Sequence, residues 1–595
     1  MSATTQAMSE TLRLRAEASI AQGNLDTAER CLVELLGGDP RDHKALALMA
    51  ELRLRNNSII DAFAFYVRAV NAAPETHLYK ERFLELAGRG LDVAHSEELE
   101  GAVVACLKTP DLAGAVENWA GLLMANPAFQ AAYGLAHRRP FDAANKQAEV
   151  SDVELLLRPL FLEGLKSNVV CDAVFEDFVV AVRRHLLDAL SQQGDFPREE
   201  YVALASALSH YALFTDFILE EAAGEQERIG KLCKQIETGS QQNAAAIAML
   251  ACYRPLHELV NADEVLERFR NTASISDVVM AQIREHRSLR QAAASIPTLA
   301  SVPGETSQSV REQYETFPYP RWKSLSRRNV VENWRTEEFS QKLEAPLLDR
   351  PARILIAGCG TGRDAAIHAI RFPSSSITAV DISRTSLAYA SMKATELGLG
   401  NIAFVQGDIL DLSRMGQAFD HICCTGVLHH MAEPVAGFRV LRDLLKPGSL
   451  MRIGLYSRAG RKAVAATQEV ARRGTYPPTR EGILRFRRES PRLCDRDTLL
   501  RLSGLQDYYH LNMYRDLLFP AREHRFDLAE IRDMLGVLGL SFEGFYLPAE
   551  VLTKYRSMFR DDRHATDLDS WRQFESRYPD TFASMYIFWC RKTQS

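Results

Sequence analysis

Three glycines spaced two residues apart, Gly358, Gly360 and Gly362, follow an apolar run rich in β-branched residues and precede a helical segment. This order predicts a buried strand, a tight loop and a helix N-terminus. At such a loop the missing Cβ atoms let the backbone approach a ligand, and N–H groups face anionic or electron-rich ligand atoms. The loop indicates a nucleotide-like ligand, although glycine triplets also close ordinary βα turns.

A carboxylate follows the second predicted strand. Asp381 ends that strand nineteen residues after Gly362, where a carboxylate accepts both hydrogen bonds from vicinal ribose hydroxyls. To this point a nicotinamide dinucleotide and S-adenosylmethionine fit equally well. The third strand is followed by Asp408 and Ile409, which suit an adenine amine and an adenine ring.

Two further motifs separate these ligands. The fourth predicted strand ends in Thr-Gly-Val-Leu-His-His-Met at 425–431, and Leu-Leu-Lys-Pro-Gly-Ser at 444–449 predicts a turn before the fifth strand. The ordered set resembles the class I S-adenosylmethionine-dependent methyltransferases, in the small-molecule-type branch with a "VLHH" fourth motif and an "LKPG" turn. The resemblance covers residues 345–460 and disfavours the nicotinamide alternative.

The resemblance implies a role for each matching position. The glycines would border the methionine part of S-adenosylmethionine, Asp381 would bind the ribose, and Asp408 would meet the adenine amine. The family often has a carboxylate two residues before the first glycine, where this chain has Ile356. The implied cofactor-binding residues are Ala357, Gly358, Cys359, Gly360, Gly362, Asp381, Ile382, Asp408, Ile409, Thr425, Gly426 and Val427.

Two adjacent histidines, His429 and His430, would lie beside the transferred methyl group. An imidazole titrates in the range useful for a general base, so the catalytic candidates are these two residues. The alternative is that one histidine packs structurally while the other caps the following helix. Tyr456 and Tyr319 are weaker candidates.

Strand–helix alternation begins at Arg353 and predicts a mostly parallel, Rossmann-like α/β sheet with ligands at the strand carboxyl ends. A final strand pair near the C-terminus would contribute the antiparallel last strand. The predicted strands are Arg353–Ala357, Ser376–Val380, Ile402–Gln406, Phe419–Cys424, Leu450–Tyr456, Ser541–Leu547 and Met585–Arg591.

The N-terminal half is predicted to be α-helical and repeat-like. Pro40 and Pro74 lie 34 residues apart, each preceded at twelve residues by an alanine, Ala28 or Ala62. This period resembles tetratricopeptide repeats, and a generic pair of α-hairpins is the alternative. Further along, residues 153–165 have the apolar spacing of an amphipathic helix.

Four regions are predicted along the chain. They are repeats at 1–75, a helical array at 76–294, a linker with an aromatic-proline segment at 295–325, and a methyltransferase domain at 326–595 with a basic insertion at about 457–540. This layout resembles bacterial multidomain proteins that combine such repeats with a methyltransferase domain.

Composition is that of a globular protein, with 46% hydrophobic and 25% charged residues and a formal net charge of −6. This charge argues against nucleic acid as a partner. No apolar run is long enough for a membrane span, and the N-terminus lacks a secretion signal, so the expected location is cytoplasmic. None of the ten cysteines forms a CxxC pair, so no metal site is predicted, and Cys423 and Cys424 are expected to be core residues.

Residues 451–500 contain twelve Arg or Lys against five Asp or Glu, a local excess of +7. Such a stretch attracts an anionic substrate, or else forms a solvated insertion or docks on acidic neighbours. Three hypotheses remain: a methyltransferase whose helical region recruits a protein partner or substrate, a small-molecule or glycan methyltransferase whose helices serve assembly, and a repeat scaffold with a degenerate methyltransferase domain. The methyl acceptor is not identified by the sequence.

Overall fold

The computed structural model describes residues 3–116, 118–142, 145, 150, 152–299, 311, 314–315, 322–583 and 585–593. The chain divides into two compact units. Unit 1 comprises Met1–Tyr211, Gly239–Cys252 and Lys323–Ser326, and unit 2 comprises Ala212–Thr238, Tyr253–Trp322 and Arg327–Ser595. Much of the predicted linker (300–309) and the centre of the aromatic-proline segment (316–321, with Tyr319) lie outside the described residues. The predicted domain boundaries stay predictions.

The described part of unit 1 is built from helices. Ala28 and Ala62 are fully buried, and the helices that carry them end two residues before Pro40 and Pro74. The predicted helical N-terminal half is confirmed, while its identity as tetratricopeptide repeats remains a prediction. The helices of residues 3–251 outside unit 2 are Ala3–Ala21, Leu25–Gly38, His43–Arg55, Ile59–Ala72, His77–Ala87, Glu97–Leu107, Trp119–Met124, Pro127–Tyr133, Val153–Leu156, Pro159–Ser167, Ala173–Gln193, Glu200–Phe214 (whose last three residues belong to unit 2) and Ala244–Ala251.

Unit 2 contains a seven-stranded sheet in the order β3-β2-β1-β4-β5-β7-β6. The strands are β1 (Arg353–Ala357), β2 (Ser376–Asp381), β3 (Ile402–Gln406), β4 (Phe419–Thr425), β5 (Leu445–Tyr456), β6 (Leu540–Phe545) and β7 (Met585–Lys592). β1 to β5 are paired in parallel, and β7 is antiparallel to both β5 and β6. The predicted Rossmann-like sheet with an antiparallel last strand is confirmed.

Helices cover both faces of this sheet. Ile354 and Ile356 of β1 belong to one buried cluster, and the alternate residues Leu355 and Ala357 belong to another. Because successive side chains of a strand point to opposite faces, β1 is apolar on both sides, as a strand inside a three-layer fold must be. The α-helices of unit 2 are Ala223–Glu237, Ala262–Phe269, Ser276–Val279, Glu285–Ser295, Arg327–Thr336, Glu338–Glu344, Arg363–Arg371, Arg384–Glu396, Pro434–Leu444, Lys462–Arg473, Arg480–Leu493, Arg496–Ser503, Leu511–Leu518, Leu528–Leu538, Ala549–Met558 and Leu568–Arg577.

The predicted turn before the fifth strand is wrong. β5 begins at Leu445, which pairs with Phe419, and the register then shifts so that Leu450 pairs with His421. Gly448 lies within the shifted stretch with φ +73°, a conformation that glycine adopts without steric cost. The Lys-Pro-Gly-Ser segment is therefore an irregularity inside a long strand.

In the described part of the chain, no helix combines the length and the apolar character that crossing a lipid bilayer requires.

Gly362 joins the glycine loop to helix Arg363–Arg371 with φ +82°, and a Cβ there would lie 2.4 Å from the Cβ of Ala390. Gly416 also has a positive φ, +62°, but nothing lies within 4 Å of the position that a Cβ would take there. Gly416→Ala is expected to cost about 1–2 kcal/mol of backbone strain. Gly362→Ala is expected to cost about 1–3 kcal/mol more, because it also overpacks the contact with Ala390. Urea unfolding of both variants measures the difference, and equal destabilisation would contradict the steric argument.

Candidate functional site

A cavity of about 760 Å³ opens at the carboxyl ends of the parallel strands. Twelve of the residues predicted from the sequence line it: Gly358, Cys359, Gly360, Asp381, Ile382, Asp408, Ile409, Thr425, Gly426, Val427, His430 and Tyr456. Three others, Ala357, Gly362 and His429, lie outside its lining. The sheet thus brings together residues from five strand ends that are separated by up to about a hundred positions in the sequence.

The glycine loop is shaped by its left-handed backbone. Gly358, Gly360 and Gly362 have φ of +71°, +51° and +82°. A Cβ on Gly358 would lie only 2.2 Å from Cγ2 of Val427, so the glycine loop is in direct contact with the loop that follows β4. The backbone N–H groups of Gly358 and Cys359 donate to Val380 O at 2.8 and 2.9 Å, which fixes the loop to β2.

Asp381 is held by two backbone donors. Gly360 N donates to Oδ2 at 2.8 Å and Ser383 N donates to Oδ1 at 2.9 Å. Burial raises the pKa of Asp381, and these hydrogen bonds oppose that rise. An ionised carboxylate has about four lone-pair sites, so these two bonds orient the group and leave acceptor capacity toward the cavity.

Asp408 and Thr425 lie at the carboxyl ends of β3 and β4. Asp408 Oδ1 accepts from Leu410 N at 2.9 Å and so caps the 3₁₀ turn Ile409–Met415. Thr425 Oγ1 is buried and has no hydrogen-bond partner among the described residues. A buried hydroxyl without a partner is costly, so this atom is suited to meet a ligand in the cavity.

Ile356 is 2% exposed and leaves the family's usual carboxylate position apolar. Nearby, the cavity is lined by an ion pair that the sequence did not predict: Arg452 of β5 donates to both oxygens of Asp364, at 2.7 and 2.9 Å. Burial would raise the pKa of Asp364, but Arg452 and His368 hold it well below its usual range. Glu337 and Arg371 also line the cavity. In the sequence, the only feature that pointed to this ion pair was the acidic residue Asp364 in the first turn of the helix after the glycine loop.

His429 and His430 have different surroundings. His429 is fully buried, its ring stacks on Tyr456 with centroids 3.7 Å apart, and neither ring nitrogen has a partner in the described part of the chain. Burial, reinforced by His430 and Arg461, holds the pKa of His429 well below its usual range, so the ring is neutral.

His430 lines the cavity, and one of its ring nitrogens is held by a hydrogen bond. Its Nδ1 lies 2.7 Å from Arg522 O, and because a carbonyl only accepts, Nδ1 carries the proton. In the neutral ring Nε2 then presents a lone pair, and this atom is buried without a partner among the described residues. Of the two histidines, His430 has the geometry of a general base.

Tyr456, at the end of β5, lies between His429 and a guanidinium. Arg461 sits 3.5 Å from the centroid of the Tyr456 ring and is paired with Glu523 at 2.7 Å. Burial, with a contribution from Asp516, raises the pKa of Tyr456. This aromatic and charged cluster forms one wall beside His430.

The described residues of the aromatic-proline segment also reach the site. Tyr314 lines the cavity and its hydroxyl donates to Asp516 Oδ1 at 2.6 Å. Glu315 accepts hydrogen bonds from Arg384 N at 2.9 Å and Thr385 N at 3.1 Å, and so caps helix Arg384–Glu396. Trp322 Nε1 donates to Thr361 O of the glycine loop at 2.9 Å.

Several arginines of the basic stretch at 451–500 are already paired with carboxylates. Arg458 bonds Asp527 and Glu530, and Arg472 and Arg473 share Glu469. These contacts lower the positive charge that the stretch offers to a substrate.

The residues at the cavity fit S-adenosylmethionine. The volume lies within the roughly 300–1,000 Å³ typical of small-molecule sites. The backbone of Gly358 lines the cavity, and the packing of Val427 against it leaves no room for a side chain at that position. The oriented Asp381 carboxylate and the Thr425 hydroxyl, which has no partner among the described residues, are polar groups of the kind that such a cofactor requires.

Comparison with known proteins agrees with this geometry. Residues 354–448 match the sequence profile of a family described as a methyltransferase domain. An uncharacterised protein of Synechococcus is 32% identical over 262 residues, which are 41% of this chain and 61% of that protein. A ubiquinone biosynthesis O-methyltransferase of Cereibacter sphaeroides is 32% identical over 114 residues, which are 19% of this chain and 45% of that enzyme. The chain thus spans about half to three fifths of the length of these relatives.

Among solved structures, PKMT2 from Rickettsia typhi in complex with AdoHcy aligns with a TM-score of 0.32 and 14% identity, over 50% of this chain and 54% of that one. Three other observations are more specific: the sheet order, the cavity at the strand ends and the profile match. Together they identify the C-terminal part of the chain as a class I S-adenosylmethionine-dependent methyltransferase domain.

Proposed function

We propose that this protein transfers a methyl group from S-adenosylmethionine to an acceptor, and that its helical N-terminal region recruits a protein partner or substrate. The observation that carries the first part is the cavity at the strand carboxyl ends, lined by the glycine loop, Asp381 and Asp408. Retention of these groups also argues against a degenerate, purely scaffolding domain.

In this proposal the cofactor is held by residues of four strand ends. Asp381 binds the ribose hydroxyls, Ile382 and Ile409 flank the adenine ring, and Asp408 meets the adenine amine. Thr425 and the glycine loop border the methionine end. Asp364 takes the place of the carboxylate that the family often has at the position of Ile356: Arg452 occupies one lone pair of each oxygen, and the remaining lone pairs accept from the cofactor's amine.

Bound S-adenosylmethionine supplies an electrophilic methyl group on a sulfonium. The chain's own part is to align the acceptor and to remove its proton where the acceptor requires it. His430 Nε2 is suited to take that proton, because the Arg522 carbonyl holds the tautomer in which Nε2 is unprotonated. The buried wall of His429 and Tyr456 excludes water from this side of the cavity.

The acceptor class has two candidates. The separate helical unit favours a protein acceptor or partner, since stacked helix pairs form extended binding surfaces. The names of two relatives favour a small or carrier-bound acceptor. They are the ubiquinone biosynthesis O-methyltransferase and a malonyl-[acyl-carrier protein] O-methyltransferase of Halalkalibacterium halodurans.

Methyl-labelled S-adenosylmethionine, incubated with the full chain and an extract of the source cells, tests the proposed function. Label in the protein fraction is expected if the helical region recruits a protein substrate. Label only in the small-molecule fraction would favour the alternative acceptor class. An absence of transfer from every fraction, with the cofactor bound, would contradict the enzymatic proposal.

Asp381→Asn is expected to weaken binding of S-adenosylmethionine roughly 10- to 100-fold, because it removes a charged acceptor for the ribose hydroxyls. Asp411→Asn is the matched control: both aspartates are 9% exposed, and Asp411 lies outside the cavity lining. Calorimetric titration of the full chain measures both dissociation constants. The ribose assignment fails if the two variants bind the cofactor equally well.

His430→Asn keeps an N–H donor for the Arg522 carbonyl but removes the Nε2 lone pair. It is expected to lower kcat by about 10²–10⁴-fold for an acceptor that must lose a proton. Binding of S-adenosylmethionine should stay within about twofold of wild type, which serves as the control for correct folding. An unchanged kcat in the labelled-methyl assay would remove His430 from the mechanism.

A further inference from the structure

Three potential metal ligands lie together where a helix packs on β4, and none of them lines the cavity. His368 belongs to helix Arg363–Arg371, and His421 and Cys423 belong to β4; all three are fully buried. Cys423 Sγ lies 3.3 Å from His368 Nε2 and 3.2 Å from His421 Nε2. Because His421 and Cys423 are two residues apart on a strand, they project to the same face.

The hydrogen bonds of the two imidazoles define where their protons are. His368 Nδ1 lies 2.8 Å from Asp364 O, and His421 Nδ1 lies 3.1 Å from Leu450 O. A carbonyl oxygen only accepts, so both Nδ1 atoms carry protons. In their neutral forms, both rings then direct an Nε2 lone pair at the same sulfur of Cys423.

This arrangement needs positive charge at its centre. A thiol has one proton and can satisfy only one of the two Nε2 atoms, which leaves the other lone pair facing sulfur. A buried polar atom without a partner is costly, so either an added proton or a metal ion must lie between the three groups. Metal-binding histidines commonly donate the second ring N–H to a backbone carbonyl, as both do here.

A buried carboxylate lies beside His421. Glu344 Oε1 lies 3.8 Å from His421 Nε2, and the residue is fully buried. Two tryptophans orient the carboxylate: Trp589 Nε1 donates to Oε1 and Trp334 Nε1 donates to Oε2, both at 3.2 Å. A negative group in this position favours a cation over an uncharged arrangement.

We propose that His368, His421 and Cys423 bind one zinc ion, with the Glu344 carboxylate beside His421. The ligand atoms of the three lie within 4.8 Å of one another. Tetrahedral zinc with Zn–S near 2.3 Å and Zn–N near 2.0–2.1 Å places sulfur and nitrogen about 3.5 Å apart, a few tenths beyond the separations seen here. All three ligands are fully buried, so the site would hold the ion away from solvent, in a structural rather than a catalytic role.

This proposal departs from the expectation of no metal, which the absence of a CxxC pair had suggested. The ligands come from a helix and a strand that are more than fifty residues apart in the sequence, so their spacing follows no short motif. Zinc at this position would tie helix Arg363–Arg371 to β4. That helix begins at the glycine loop and carries Asp364, so the metal would stabilise the cavity without touching its ligand.

The metal-free alternative is an ion pair. Burial would raise the pKa of the Cys423 thiol, but His368, His421 and Arg452 lower it to about 6. Burial would lower the pKa of His368, but Cys423 and Asp364 raise it to about 10. Without metal, Cys423 is then a thiolate beside an imidazolium, and zinc binding displaces the proton on His368 Nε2.

The test uses the full chain produced in medium supplemented with zinc and, separately, with cobalt. We expect about one metal per chain by elemental analysis, and a thiolate-to-cobalt charge-transfer absorption in the cobalt form. Cys423→Ser should lose both signals. Cys424→Ser is the matched control, because Cys424 is the adjacent, equally buried residue of β4 and faces the opposite core cluster, so it should keep both.

Wild-type protein that holds no metal, or cobalt without the charge-transfer band, would overturn the proposal and favour the thiolate–imidazolium pair. Equal metal content in Cys423→Ser and wild type would also overturn it. If Cys423→Ser does not fold, X-ray absorption of the wild-type zinc form decides: one sulfur near 2.3 Å supports the site, and only nitrogen and oxygen ligands reject it.

Discussion

The burial of one arginine in the middle of a central strand is the interaction on which the sheet region of unit 2 depends. Arg452 pairs across the sheet with Cys423 of β4, and its side chain is 11% exposed. Removing a guanidinium from water is costly, and the loss is recovered only when its partners have good geometry. Asp364 offsets part of that cost, since one Nη of Arg452 donates to both of its oxygens, and the contact links β5 to the helix that follows the glycine loop.

This interaction connects the two chemical regions of the domain. On one side Asp364 faces the cofactor cavity, and on the other its backbone carbonyl accepts from His368 Nδ1 in the buried histidine–cysteine cluster. The charge of Arg452 also contributes to lowering the pKa of Cys423 and of Glu344. Asp364 at the cavity and the histidine–cysteine cluster therefore both interact with the charge of Arg452. A change in the charge of Asp364 or of the cluster affects the other.

Local patterns in the sequence predicted most of the sheet. β1 and β3 have the predicted bounds, because each is a short apolar run closed by glycine or polar residues. Two predictions failed where local patterns were insufficient. The register shift near Gly448 depends on pairing with β4, which a single segment does not reveal. The predicted helix 153–165 is two helices, Val153–Leu156 and Pro159–Ser167, because proline removes the backbone donor that a continuous helix needs.

The site was predictable where each residue follows a strand, and unpredictable where partners come from distant segments. The glycine loop and Asp381 are recognisable by their spacing. His429 and His430 are indistinguishable in sequence, and what separates them is the carbonyl of Arg522, 92 residues further along the chain. The Asp364–Arg452 pair spans 88 residues and has no motif at all.

The contact between Gly358 and Val427 has a consequence for how this site varies. A Cβ at position 358 would overlap the Val427 side chain at 2.2 Å, so the loop after β1 and the loop after β4 together fill one volume. Position 358 accepts a larger residue only if position 427 becomes smaller and the backbone at 358 also leaves its left-handed conformation. Two motifs 69 residues apart are therefore a single steric unit, and substitutions in one are conditional on the other.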